Sequence, residues 1–130
     1  MAGGLWFHDI RLPDNFIDRN IRCLEKDKNG FYWFATVNNL YRHNGFSVDC
    51  IYNKNDQPIS NISKLLIEGD TLWIASPIGV TRLQLNSWEF KQFSFENFES
   101  LINYNREITA LVSEPDGSGI LVGFKKQSYL

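Results

Sequence analysis

Any chemistry in this chain has to come from a small set of groups. They are two histidines, His8 and His43, two cysteines, Cys23 and Cys50, and carboxylates scattered through 130 residues. Asp27, Glu68 and Asp116 are the carboxylates to weigh first, because acid–base or glycosidic work needs two such groups at one site. Each of them falls in a turn-like stretch at repeat spacing: Asp27-Lys28-Asn29-Gly30, Glu68-Gly69-Asp70 and Asp116-Gly117-Ser118-Gly119. Turn chemistry, in which Asp and Asn bond nearby backbone and Gly takes positive φ, accounts for all three. His43 precedes Asn44-Gly45 and reads as a solvated turn residue, while His8 lies on an opening strand and reads as partly buried. There is no His–Cys or His–His cluster with zinc spacing, no Gly-rich phosphate loop and no Gly-x-Ser-x-Gly elbow. The expectation is no catalytic residue, no metal and no cofactor.

Trp33 and Trp73 could form a sugar-stacking platform, but they stand 40 positions apart at the same place in two similar segments, which reads as core. Arg42 and Arg82 recur in the same way and read as packing or hydrogen-bonding residues between repeats. Cys23 and Cys50 fall on the first and fourth strands of one such unit. Three strand spacings of ~4.8 Å put them about 14 Å apart, beyond the ~7 Å Cα limit for a disulfide. Two free thiols are expected.

The elements that would position these residues follow from internal repetition. Ile21-Arg22-Cys23-Leu24, Tyr32-Trp33-Phe34-Ala35-Thr36 and Leu40-Tyr41-Arg42 align with Ile62-Ser63-Lys64-Leu65, Leu72-Trp73-Ile74-Ala75-Ser76 and Val80-Thr81-Arg82. Ile21 and Ile62 are 41 positions apart, and Arg42 and Arg82 are 40 apart. A third copy begins at Ile108-Thr109-Ala110-Leu111, turns at Asp116–Gly119 and continues Ile120-Leu121-Val122-Gly123, with the extra length in 94–107. Phe31–Thr36 and Thr71–Ser76 are aromatic and β-branched runs of strand length. Asn44-Gly45 signals a hairpin before a strand over Phe46–Tyr52, and Leu85-Asn86-Ser87-Trp88 a matching turn before Glu89–Phe93. Each unit is thus a four-stranded antiparallel meander of about 40 residues, the size of a propeller blade.

Residues on both faces of the second strand are apolar, so one such sheet cannot stand in water alone. Stacking sheets face to face resolves this, as radial repeats do in propellers. A solenoid would need shorter rungs and a sandwich would not need this period. The fold class is all-β: an incomplete β-propeller of blade meanders. The organisation expected is a closing strand and lead-in over 5–20, blades over 21–61 and 62–107, and a truncated third blade over 108–130.

With 43% hydrophobic and 15% aromatic residues the chain can build a core. A net charge of −2 argues against a nucleic-acid or anionic-membrane face. No run approaches the length of a membrane span, and Met1-Ala2-Gly3-Gly4 has no signal-peptide pattern.

At these residues the chain resembles the regulator-propeller repeats of hybrid two-component sensors. The matching pattern is Ile-x-x-Leu-x-x-Asp-x-x-Gly-x-x-Trp-Phe-Ala-Thr-x-x-x-Leu-Tyr-Arg from Ile21. Ala35-Thr36 and Ala75-Ser76 stand where the family has Gly-Thr, Asn39-Leu40 and Gly79-Val80 where it has Gly-Leu, and Asn44-Gly45 where it has Asp-Gly. Trp6-Phe7-His8-Asp9-Ile10, followed by Asn20-Ile21, resembles the start of that sensor region. The resemblance implies a periplasmic ligand-sensing propeller, ahead of a membrane span and a histidine kinase, that binds an oligosaccharide without catalysis. A propeller lyase or hydrolase and a protein-interaction scaffold are the alternatives. The enzyme needs a His and a carboxylate brought together on the loop rim.

In such a meander the b–c and d–a loops share one rim, and function concentrates on long loops over a rigid scaffold. These loops are 37–39, 76–78 and 125–127 from b–c, and 53–61 and 94–107 from d–a. The candidate ligand-binding residues are Asn38, Asn39, Tyr104, Arg106, Lys125 and Lys126. The partner expected is a small molecule, with no nucleic acid and no membrane contact by this segment. Exposed blade faces and open strand edges lead us to expect a homo-oligomer or an aggregation-prone species rather than a stable monomer.

Overall fold

A computed structural model describes residues 12, 16–18, 20–94 and 104–126. The described residues form ten strands and no helix. The first sheet is β1 (Cys23–Lys26), β2 (Tyr32–Ala35), β3 (Leu40–His43) and β4 (Val48–Ile51), in that spatial order. The second is β5 (Lys64–Glu68), β6 (Thr71–Ser76), β7 (Gly79–Gln84) and β8 (Glu89–Ser94), again in chain order. A two-stranded sheet follows, β9 (Tyr104–Ser113) with β10 (Ile120–Lys126). All pairings are antiparallel, so each four-stranded sheet is the expected meander. The innermost strands β1, β5 and β9 lie in succession against one another, the arrangement of blades around an axis.

Alternation along the strands decides what packs between sheets. Trp33, Ala35, Leu40 and Ile51 point from the first sheet into a shared core with Leu65, Leu72, Ile74 and Leu83 of the second. The opposite face of the second sheet carries Trp73, Ala75 and Val80, which pack on Ile108, Leu111, Ile120, Val122 and Phe124. Trp33 and Arg42 face each other across β2 and β3, and Trp73 and Arg82 across β6 and β7, so the recurring pairs occupy equivalent places. Trp33 is fully buried, whereas Trp73 is half-buried. Cys23 and Cys50 are free and lie on β1 and β4.

Several expectations are corrected. His43 is not a solvated turn residue: it ends β3, is buried, and its Nδ1 accepts the Gly45 N–H at 2.9 Å. The turn folds back over the imidazole, so the ring takes part in the hairpin. The fourth strand begins at Val48, not Phe46. Asn44 Oδ1 accepts both Phe46 N–H and Ser47 N–H at 2.8 Å, which removes those amides from the ladder and leaves the Phe46 side chain exposed. Glu68 ends β5 instead of standing in the turn. Tyr104 and Arg106 lie on β9, and Lys125 and Lys126 on β10, all four placed in loops by the sequence reading. Irregularities in the ladder at Gly123/Phe124 and Phe124/Lys126 let the hairpin run on past its regular part. The expected strand over Trp6–Ile10, with His8, lies outside the described residues.

Candidate functional site

Two of the three carboxylates weighed as catalysts, Asp27 and Asp116, serve turns. Asp27 Oδ1 accepts the N–H groups of Asn29 and Phe31 at 2.9 and 3.0 Å, and its Oδ2 accepts the buried Trp33 Nε1–H at 2.9 Å. Asp116 accepts the Ser118 N–H, and bonding to Ser118 holds its carboxyl below the usual range. Asp70 pairs with Lys28 at 2.5 Å, tying the first turns of the two blades together at the surface, where such pairs contribute little. Burial pushes the Cys23 thiol up, which disfavours the reactive thiolate. Among the described residues no three His, Cys, Asp or Glu side chains gather as a metal site.

Asn38 and Asn39 occupy the β2–β3 turn, as expected. Asn38 is exposed. Asn39 is engaged internally: its Nδ2 donates to Tyr41 Oη at 3.1 Å, and the Cys50 thiol lies 3.6 Å from its Oδ1. Tyr41 in turn donates to Asp18 Oδ2 at 3.0 Å, and Thr36 Oγ1 donates to the same oxygen. Burial, followed by the bond to Asp18, pushes the Tyr41 hydroxyl up to about 12. This network pins the lead-in onto the first blade. Tyr104 and Lys126 are brought opposite each other in the β9–β10 ladder. Neither Asn38 nor Asn39 lines the two clefts found among the described residues.

Two clefts border the loop between β4 and β5, on the rim expected to carry function, and the larger extends along the outer edge to Trp88 in the β7–β8 turn on the opposite rim. One, of about 220 Å³, opens between this loop and the β6–β7 turn at Pro77-Ile78; Asn55, Ser60, Asn61, Thr81 and Gln92 are its polar lining. The other, of about 770 Å³, runs along the outer edge past Asp56, Trp88, Glu89 and Lys91. Asn53, Lys54 and Phe90 line both, so the two meet. The loop is rigidly built. Asn53 Oδ1 accepts the N–H groups of Asn55 and Gln57 at 2.9 and 3.0 Å, Asn53 N–H donates to Gln57 O, and Asp56 N–H donates to Asn53 O. Asn61 N–H donates to Val37 O at 2.8 Å, anchoring the loop to the β2–β3 turn.

Backbone conformation singles out the same region. Among the described non-glycine residues, positive φ occurs at Asp56 (57°), Asn61 (56°) and Trp88 (60°), and all three line the clefts. Asp and Asn tolerate this region, but a bulky Trp there is an outlier, of the kind that clusters at functional sites. Trp88 packs against Trp33 with ring centroids 5.7 Å apart and sits 5.2 Å from the Arg42 guanidinium, yet keeps 39% of its surface exposed. The sequence reading named loops 53–61 and 76–78 but missed Trp88 and Gln92. The signal available for Trp88 was an aromatic in a turn whose counterpart in the first blade holds Asn44-Gly45.

The sequence comparisons agree with this architecture. A family profile described as two component regulator propeller matches residues 15–38, the stretch holding β1, the Asp27 turn and β2. This stretch is a regulator-propeller repeat. No curated protein matches the chain. Among solved structures, the chain is similar to the extracellular domain assigned to the hybrid two component system BT3049 of B. thetaiotaomicron. Identity is 20% and the TM-score 0.68, over 87% of this chain and 17% of that one. At that identity the likeness is one of fold. The extracellular domain assigned to the one component system BT4673 of the same organism matches at 18% identity and TM-score 0.44, over 91% of this chain and 21% of that one. The chain therefore spans about a fifth of the length of these structures.

Proposed function

We propose that this chain belongs to the extracytoplasmic sensor propeller of a two-component signalling system, and that it binds an oligosaccharide without transforming it. The observation that carries this reading is the regulator-propeller repeat over residues 15–38, set in a propeller fold similar to an extracellular two-component domain. Two further features support it. Asp27 and His43, two of the groups weighed for acid–base chemistry, are engaged in a turn and a hairpin. The open, polar surface lies instead around the rigid β4–β5 loop. A kinase downstream in the same protein is part of this proposal.

Calorimetric titration of the chain with a panel of plant and host oligosaccharides tests the reading, with mass spectrometry of the sugars afterwards. Saturable binding with every sugar recovered intact is the expected result. Shortened or unsaturated products would instead establish a propeller enzyme, and absence of binding across the panel would remove the sensor reading from this part of the molecule.

A further inference from the structure

The two clefts differ in chemistry and meet at Asn53, Lys54 and Phe90. In the smaller lobe, the side chains of Asn55, Ser60, Asn61, Thr81 and Gln92 make no hydrogen bond to another described residue, so donors and acceptors remain available to a ligand. Pro58, Ile59, Pro77 and Ile78 give that lobe apolar walls. Lys54 is its one charged lining residue among those described, and no described carboxylate lines it. The larger lobe presents Trp88, held in a left-handed backbone conformation and 39% exposed. Its charges are mixed, with Lys54, Arg82 and Lys91 against Asp56 and Glu89, so neither sign dominates.

We infer that the two lobes are two halves of one binding site for a linear, uncharged oligosaccharide. One sugar is hydrogen-bonded in the amide-lined lobe, and another lies against the Trp88 indole further along the outer edge. This deepens, and rests on, the oligosaccharide-binding reading above. A sugar ring offers an apolar C–H face and a rim of hydroxyls, which matches an exposed aromatic beside unpartnered amides. The rigid β4–β5 loop fixes the distance between the lobes before the ligand arrives, which lowers the ordering cost of binding. A monosaccharide can fill only one lobe, whereas a chain of several sugars reaches both.

The test is calorimetric titration of the full chain with neutral plant oligosaccharides (glucan, xylan, mannan and galactan series) from one to six sugars, alongside galacturonate oligomers of equal length. Two-dimensional NMR of the tryptophan indole N–H groups accompanies it, with the Trp88 signal assigned through Trp88→Phe. A neutral series is expected to gain affinity steeply with length and to shift the Trp88 indole signal only with the longer members. Gln92→Ala should weaken all lengths, and Trp88→Ala should remove about tenfold from the long chains alone. Because Trp88 also packs on Trp33, Trp88→Phe and the indole shift in the unaltered chain carry the conclusion if Trp88→Ala fails to fold. Length-independent affinity, a silent Trp88 signal, or a preference for galacturonate would overturn the two-lobed neutral site while leaving oligosaccharide binding intact. No binding by any sugar would overturn both readings.

Discussion

Asp27 and Glu68 stand at equivalent places in the two repeats, yet only Asp27 reaches its tryptophan. Asp27 caps two turn amides and accepts the Trp33 indole N–H, whereas Trp73 Nε1 and Glu68 Oε2 are both buried with no partner among the described residues. Asp27→Ala should therefore cost about 1–3 kcal/mol, because it orphans a buried donor. Glu68→Ala should cost less than that, since its carboxylate holds nothing that would be lost. Trp33→Ala empties a fully buried aromatic position and should cost about 3–5 kcal/mol. Urea denaturation midpoints of the three variants check the ordering. A pH effect belongs to Tyr41. Its folded pKa, about 12, lies above the ordinary 10.0, so the folded state holds this proton more tightly than the unfolded state. The stability linked to that proton is complete below pH 10 and is lost as pH rises toward 12. Tyr41→Phe should flatten that part of the stability–pH curve relative to the parent chain.

At the scale of elements, Gly79 starts β7 with φ of 147°, and a Cβ there would lie 2.1 Å from the Phe93 carbonyl oxygen. Gly79→Ala should prise β7 from β8 and cost at least about 1–3 kcal/mol, readable as a lowered thermal midpoint. The strands were legible because aromatic and β-branched runs such as Tyr32-Trp33-Phe34 recur at blade spacing between turn signals. The Asp27 and Asn44 turns were legible because side-chain capping needs those residue types at those offsets. Polar strand ends were not: Tyr104-Asn105-Arg106-Glu107 has loop composition, and only pairing with β10 makes it a strand. His43 was misread because composition cannot say that a turn will fold over an imidazole and bury it. The clefts were half-legible. Loop length pointed to 53–61, but Trp88 enters through tertiary geometry, reaching across to Trp33 and Arg42 of the preceding blade.

For the whole molecule, the outer face of the sheet of β9 and β10 is where self-association is expected. Its inner face packs on Trp73, Ala75 and Val80, but Val112 and Leu121, opposite each other in the ladder, are 53% and 55% exposed on the outer face. Ala110 lies on that same outer face and is also exposed. Two strands with one apolar face uncovered are marginal alone, and an apolar patch of this kind favours association. A second copy contacting it through a different surface would make a head-to-tail interface, which closes into a ring only if the rotation between copies permits. The chain studied by itself should therefore self-associate with rising concentration in sedimentation velocity. Val112→Glu combined with Leu121→Lys should shift it toward monomer without lowering the denaturation midpoint of the first two blades, because neither side chain enters their cores. A parent chain that stays monomeric at high concentration and unfolds cooperatively would show that this outer face needs no partner.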